Sequence, residues 1–138
     1  SFASRIKLWG GTYGSASAKL QLSATIDGQK WWTQCSLSSL DNERFFVCEI
    51  YSYDGEMTQL EYMTLRIPAS INTWYDARIE LDPELGALQF YFGGEIIGTY
   101  QPRHAYDLIS GIELRPSIGV WVDDGAINAS FDDVRIDR

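Results

Sequence analysis

Residues 18–37, AKLQLSATIDGQKWWTQCSL, decide the fold. From Ala18 to Ile26 apolar and polar side chains alternate, which is typical of a half-buried β-strand. Asp27-Gly28 then favours a two-residue type I′ turn, because that turn needs positive φ at both central positions. The resulting register pairs Ala24 with Trp31, Leu22 with Thr33 and Leu20 with Cys35. One face of this hairpin is therefore predicted to be buried.

The same pattern continues through the rest of the chain. A second hairpin turning near Asp41-Asn42 sets Trp31, Cys35 and Leu37 beside Phe46, Cys48 and Ile50 on the core side. A three-residue loop over 53–55, with Gly55 in the left-handed region, then pairs Cys48 with Leu60 and Phe46 with Tyr62.

Alternation returns over 75–81, 88–92 and 95–100, and two long strands over 113–123 and 126–137 complete the chain. About ten strands without a convincing amphipathic helix predict an all-β, two-sheet antiparallel sandwich or jelly roll. We expect consecutive meanders over 18–66 and the final strand beside an early one.

Length and charge narrow the classes of function. A chain of 138 residues with 45% hydrophobic residues fits one domain, 1–138. Its net charge of −8 argues against nucleic acid and against anionic membranes as partners. No apolar run approaches the roughly 18 residues of a membrane span. Because the chain starts with Ser1-Phe2-Ala3, we expect it to be a module excised from a longer protein.

The second half of the chain carries a family resemblance. Its elements are Trp74, RIEL at 78–81, QFYFGGEIIG at 89–98, IGVW at 118–121 and ASFDDVRI at 129–136. In their order and spacing these segments resemble the concanavalin A-like lectin/glucanase superfamily, in its laminin G-like branch. The resemblance covers about half of the chain. It implies a concave and a convex sheet and the binding of glycans or proteins, sometimes with calcium.

One acidic motif suggests catalysis. Glycoside hydrolases of this fold carry the pattern Glu-x-Asp-x-Glu on one strand, and residues 80–84, ELDPE, resemble that pattern. Pro83 removes a donor of the strand ladder, so Glu84 is expected in a hairpin turn rather than on the sheet. His104, the only histidine, lies in an irregular stretch without a nucleophile motif. We therefore expect no enzyme and keep a divergent glycoside hydrolase using Glu80 and Asp82 as an alternative.

Cys35 and Cys48 face each other in the predicted hairpin. They form a non-hydrogen-bonded pair, whose Cα atoms lie about 4.5 Å apart, near the lower end of disulfide geometry. A cross-strand disulfide is one interpretation and implies an oxidising, extracellular or cell-surface location. Two buried free thiols are the other.

Asp132 and Asp133 interrupt the last strand. Phe131 and Val134 are both apolar but differ in parity, which predicts a β-bulge at the two aspartates. Such a kink can direct carboxylate and backbone oxygens at a calcium ion. The alternative is a solvated acidic edge.

Aromatic and polar side chains share the face opposite the core. The predicted register pairs Trp32 with Tyr51 and Gln34 with Glu49. On a later strand, Trp121 projects from the face opposite to that of its apolar neighbours. Sugar rings stack on Trp and Tyr, while amides and carboxylates bind hydroxyl groups. The alternative is that these residues lie under a loop or a neighbouring domain.

The function expected from this face is a non-catalytic, carbohydrate-binding recognition module of a secreted or cell-surface protein. The alternative from another class is a protein-interaction or spacer domain. The predicted register implies that Trp32, Tyr51 and Trp121 are partly exposed and that Trp32 and Tyr51 are cross-strand neighbours.

Overall fold

The computed structural model describes residues 1–11, 15–26, 28–40, 43–53, 56, 59–103, 114–123 and 126–137. Ten β-strands and no helix are present in these ranges. The strands are β1 Phe2–Gly11, β2 Ala16–Ile26, β3 Gln29–Leu40, β4 Glu43–Tyr53, β5 Gln59–Pro68, β6 Trp74–Asp82, β7 Ala87–Phe92, β8 Glu95–Tyr100, β9 Arg115–Val122 and β10 Ile127–Ile136.

The strands form two five-stranded antiparallel sheets. Sheet A has the order β10-β1-β6-β7-β8, and sheet B has the order β5-β4-β3-β2-β9. The predicted two-sheet sandwich is thereby confirmed, as are the meander from β2 to β5 and the return of the final strand beside an early one. No helix in the described part of the chain is long and apolar enough to cross a membrane.

The first two hairpins have the predicted register. Ala24 pairs with Trp31 and Leu20 with Cys35, and Gly28 takes the positive φ of 80° that the turn requires. The β3–β4 pair then sets Cys35 opposite Cys48 and Leu37 opposite Phe46. Asp27 and the expected turn at Asp41-Asn42 lie outside the described residues.

The register predicted for the third hairpin is wrong. Cys48 pairs with Leu65 rather than Leu60, and Phe46 pairs with Ile67 rather than Tyr62. The connection is longer than three residues, and a register shift at Ser52/Tyr53 adds one more residue. The offset of five residues is odd, so it exchanges the two faces of β5.

The core lies between the inner faces of the two sheets. Sheet A contributes apolar side chains from β1, β6 and β7, and sheet B contributes them from β2, β3 and β4. The largest fully buried side chains are Phe2, Ile6, Ile79, Leu88 and Phe90 of sheet A, and Leu20, Trp31, Leu37, Phe46 and Ile50 of sheet B. In β1, β2 and β6 the buried residues alternate with more exposed ones, which form the outer faces.

β10 runs along β1 and brings the two ends of the chain together. The backbone amine of Ser1 donates to the carbonyl oxygen of Asp137 at 2.6 Å. Along this pair the register shifts between Ala3 and Arg5, where β10 has one residue more than β1. Asp133, at φ 50°, lies in this shift, so the predicted bulge is confirmed.

Candidate functional site

The outer face of sheet B carries a groove of about 530 Å³. Five strands contribute to it, mainly through the side chains that alternate with the core residues. Its described lining is Ser15, Ala16, Ser17, Lys19, Trp32, Gln34, Ser36, Ser38, Ser39, Phe45, Val47, Glu49, Tyr51, Thr64, Arg66 and Trp121. This volume is in the range of small-molecule binding sites, roughly 300–1,000 Å³.

The height of the side chains explains why the face is hollow. Ser17, Ser36 and Ser38 lie on the central strand β3 and its neighbour β2, where short side chains leave open space. Trp32 and Tyr51 rise at one end of the groove. The sequence thus places small residues in the middle and large aromatic residues at the edge of one continuous sheet face.

An aromatic cluster of Trp32, Tyr51 and Tyr53 lies at one end of the groove, where Trp32 and Tyr51 line it. The ring centroids of Trp32 and Tyr53 lie 5.1 Å apart in a stacked arrangement, and Trp32 is tilted by 30° against Tyr51 at 5.6 Å. All three side chains are half-buried. The partial exposure of Trp32 and Tyr51 and their cross-strand pairing are therefore confirmed.

A hydrogen-bonded polar row lies beside the aromatic cluster. Lys19 Nζ donates to Gln34 Oε1 at 3.2 Å, and Gln34 Nε2 donates to Glu49 Oε2 at 2.8 Å. Burial of the ammonium lowers the pKa of Lys19 below its ordinary value, and the negative charge of Glu49 acts in the opposite direction. The row offers donors and acceptors that are already oriented by one another.

Trp121 lies at the other end of the groove. Trp121 pairs with Ser17 on β2, and Ser17 pairs with Ser38 on β3, so these three residues form one row across the strands. Ser38 is six residues from Trp32 along β3, so the row of Trp121 lies six residue steps from Trp32. At the rise of a β-strand this is about 20 Å. Trp121 is 46% exposed. The Arg66 guanidinium, 3.3 Å from the ring centroid of Phe45, belongs to the same end.

The structure thus brings the five predicted ligand-binding residues onto one surface but not into one cluster. Trp32, Gln34, Glu49 and Tyr51 occupy two adjacent rows, whereas Trp121 lies apart from them. A ligand that contacts both groups has to be elongated.

Sequence reasoning missed several residues of the groove, chiefly Lys19, Thr64 and Arg66. Thr64 and Arg66 were assigned to the wrong face by the wrong register of β5. The signal was present, because half-buried Met63, Leu65 and Ile67 alternate with them, and Met63 and Leu65 pack against the core. Lys19 stood on the polar face of a correctly predicted strand.

Cys35 and Cys48 are joined in a disulfide whose Cα atoms lie 4.1 Å apart. Both residues are fully buried in the core. The disulfide connects β3 and β4 on the side opposite Trp32 and Tyr51, so it ties together the two strands that carry the aromatic cluster.

Asp132 and Asp133 each lie near an arginine. Asp132 Oδ2 is 3.6 Å from Arg5, and Asp133 Oδ1 is 3.8 Å from Arg135. Among the residues that the structure describes, no three His, Cys, Asp or Glu side chains come together as a metal site would require.

Glu80 and Asp82 lie on β6 of sheet A, on the opposite sheet from the groove. Asp82 Oδ1 accepts the backbone N–H groups of Glu84 and Leu85, at 2.9 and 3.0 Å, and so stabilises the β6–β7 turn. Glu84 is exposed in that turn. This geometry gives the glycoside hydrolase alternative no support. His104 lies outside the described residues.

Comparison of the chain with family models and with curated proteins finds no match.

Proposed function

We propose that this domain is a non-catalytic, carbohydrate-binding recognition module and that the groove on sheet B holds the glycan. One observation carries the proposal: the aromatic cluster adjoins the polar row Lys19–Gln34–Glu49 on the open floor of a single groove. Sugars need this combination, because their C–H faces pack on aromatic rings while their hydroxyl groups exchange hydrogen bonds.

The groove also suggests the size of the ligand. Aromatic side chains stand at both of its ends, about 20 Å apart, and Gln34 and Ser36 lie between them on β3. We infer that the ligand is an oligosaccharide chain lying along the strands rather than a single sugar.

We further infer that the domain is a divergent concanavalin A-like sandwich of a secreted or cell-surface protein. Two five-stranded antiparallel sheets, with the last strand beside the first, support the superfamily. The disulfide supports an oxidising compartment.

Trp32→Ala tests the proposal. The substitution removes a stacking surface, so binding detected on a glycan array and measured by calorimetry should fall below detection. Trp9→Ala is the matched control, because Trp9 is also exposed, at 52%, but lies on β1 of sheet A. Equal loss of binding in both variants would contradict the assignment of the groove.

Thermal unfolding must accompany these measurements. Trp32 is half-buried, so its truncation should cost less stability than the about 3–5 kcal/mol expected for the fully buried Trp31 next to it. If Trp32→Ala is as destabilising as Trp31→Ala, loss of binding reports on folding and the platform role is refuted.

A protein-interaction or spacer domain is the second candidate, and one observation favours it. Ile118, Val120 and Val122 alternate with Trp121 on the edge strand β9 and are 43%, 49% and 42% exposed. Exposed apolar side chains in a row are typical of a contact surface. A folded protein that binds no glycan on a broad array would favour this candidate over the first.

A further inference from the structure

Positive charge is concentrated around the groove. A second concavity of about 310 Å³ adjoins it, and Trp32 lines both. The charged residues in the described lining of the two concavities are Lys19, Lys30, Arg66, Arg115 and Glu49. Four bases against one acid give this surface a formal charge of +3. The remainder of the chain has seven bases against eighteen acids, a formal −11.

The four basic residues are spread along the strands on both sides of Trp32. Arg115 shares a strand row with Trp32, and Lys30 precedes Trp32 by two residues on the same face of β3. Lys19 and Arg66 share another row, further along the groove. A ligand that stacks on Trp32 and extends along the groove would therefore meet basic groups in both directions along the strands.

The basic residues of the other sheet are arranged differently. On the outer face of sheet A, the three arginines Arg5, Arg78 and Arg135 each lie 3.4–3.8 Å from a carboxylate oxygen, whereas Lys7 lies over the ring of Trp9. None of the ion pairs that the structure describes involves Lys30 or Arg66, and both side chains are exposed. The guanidinium of Arg66 is instead held over the ring of Phe45. Its charge remains available to a ligand.

We propose that the ligand of the groove is an acidic oligosaccharide, whose carboxylate or sulfate groups contact these four basic residues while its rings pack against Trp32. The inference rests on the proposed function and narrows it to one class of glycan. A positive groove on a strongly acidic protein attracts an anionic chain to that site and repels it elsewhere. An anionic group close to Lys19 would also favour the charged form of its partly desolvated ammonium.

Calorimetry with matched ligand pairs tests the proposal directly. Oligogalacturonate and its methyl ester have the same backbone and differ in charge, and a sulfated oligosaccharide and its desulfated form separate sulfate from carboxylate recognition. The acidic member of at least one pair should bind about ten-fold or more tightly than its neutral counterpart, and its affinity should fall as salt is raised.

Charge reversal identifies the surface that is responsible. Lys30→Glu and Arg66→Glu should each weaken binding of the acidic ligand about ten-fold. Arg78→Glu is the matched control, because Arg78 also stacks on an aromatic ring, that of Tyr91 at 3.6 Å, but on sheet A. Its effect should stay within about two-fold.

Three results would overturn the inference, and each has a different consequence for the proposed glycan binding. Equal affinity for the neutral and acidic members, still abolished by Trp32→Ala, refutes the acidic ligand and retains glycan binding. Binding of no glycan by the folded protein refutes both proposals. Tighter, Trp32-dependent binding of oligothymidylate would assign the basic groove to single-stranded nucleic acid instead.

Discussion

Reduction of the Cys35–Cys48 disulfide is expected to lower the free energy of unfolding by about 3 kcal/mol. The two cysteines are 13 residues apart in the sequence. Cross-linking a loop of about 15 residues removes enough entropy from the unfolded chain to stabilise the native state by about 3 kcal/mol. Unfolding entropy is about 2.1 cal/mol/K per residue, or about 0.3 kcal/mol/K for this chain, so the melting temperature should fall by about 10 °C.

Urea unfolding followed by tryptophan fluorescence measures the effect on the oxidised and the reduced protein. Both sulfur atoms are buried, so the protein should be reduced while unfolded and refolded with reductant present. Cys35→Ala/Cys48→Ala is the control, and its stability should not respond to the reductant. Oxidised and reduced proteins of equal stability, within about 0.5 kcal/mol, would refute the loop-closure reasoning.

Two further predictions concern the packing of the sheets and the last strand. Gly98→Ala should destabilise the fold by about 1–3 kcal/mol, because a Cβ atom there would overlap Leu65 Cδ1 of the other sheet. If this clash is the cause, the double variant Gly98→Ala/Leu65→Ala should unfold at a higher urea concentration than Leu65→Ala alone. A double variant that is less stable than Leu65→Ala would contradict the explanation. Calcium binding at Asp132 and Asp133 remains a prediction. A bound calcium ion should raise the melting temperature in millimolar calcium relative to excess chelator, and superimposable melting curves would refute calcium binding.

The sequence predicted the hairpins of β2, β3 and β4 because each had independent restraints. Asp27-Gly28 defines a turn of fixed length, and the alternation of apolar residues on both sides allows only one parity. Cys35 and Cys48 then fall opposite each other without further assumptions. The exposed parity of Trp32 and Tyr51 follows from the same restraints.

The turn after β4 lacked such restraints. The pattern Tyr53-Asp54-Gly55 favours a short loop, but the polar residues that follow it are compatible with several loop lengths. The alternation of Met63, Leu65 and Ile67 was the better guide, since burial determines the face of a strand more strongly than a turn motif does. Predicting from burial would have placed Arg66 in the groove.

Other features depend on pairing between distant strands. Strand β1 was not predicted, and its pairs with β6 and β10 join residues more than 65 positions apart. The pairing of β2 with β9 brings Trp121 and Arg115 to the groove. Local periodicity gives the face of a strand but not its neighbour in the sheet, so the ends of the groove could not be located from the sequence.

The hydrogen bond between Ser1 and Asp137 has a mechanical consequence. β1 and β10 are antiparallel, so the start of β1 and the end of β10 lie side by side at the same end of the strand pair. Tension applied between these two residues would load the backbone hydrogen bonds of the strand pair one after another rather than all at once. The pair should therefore unzip at low force from this end, whereas tension applied along the length of the strands would load the whole ladder in shear.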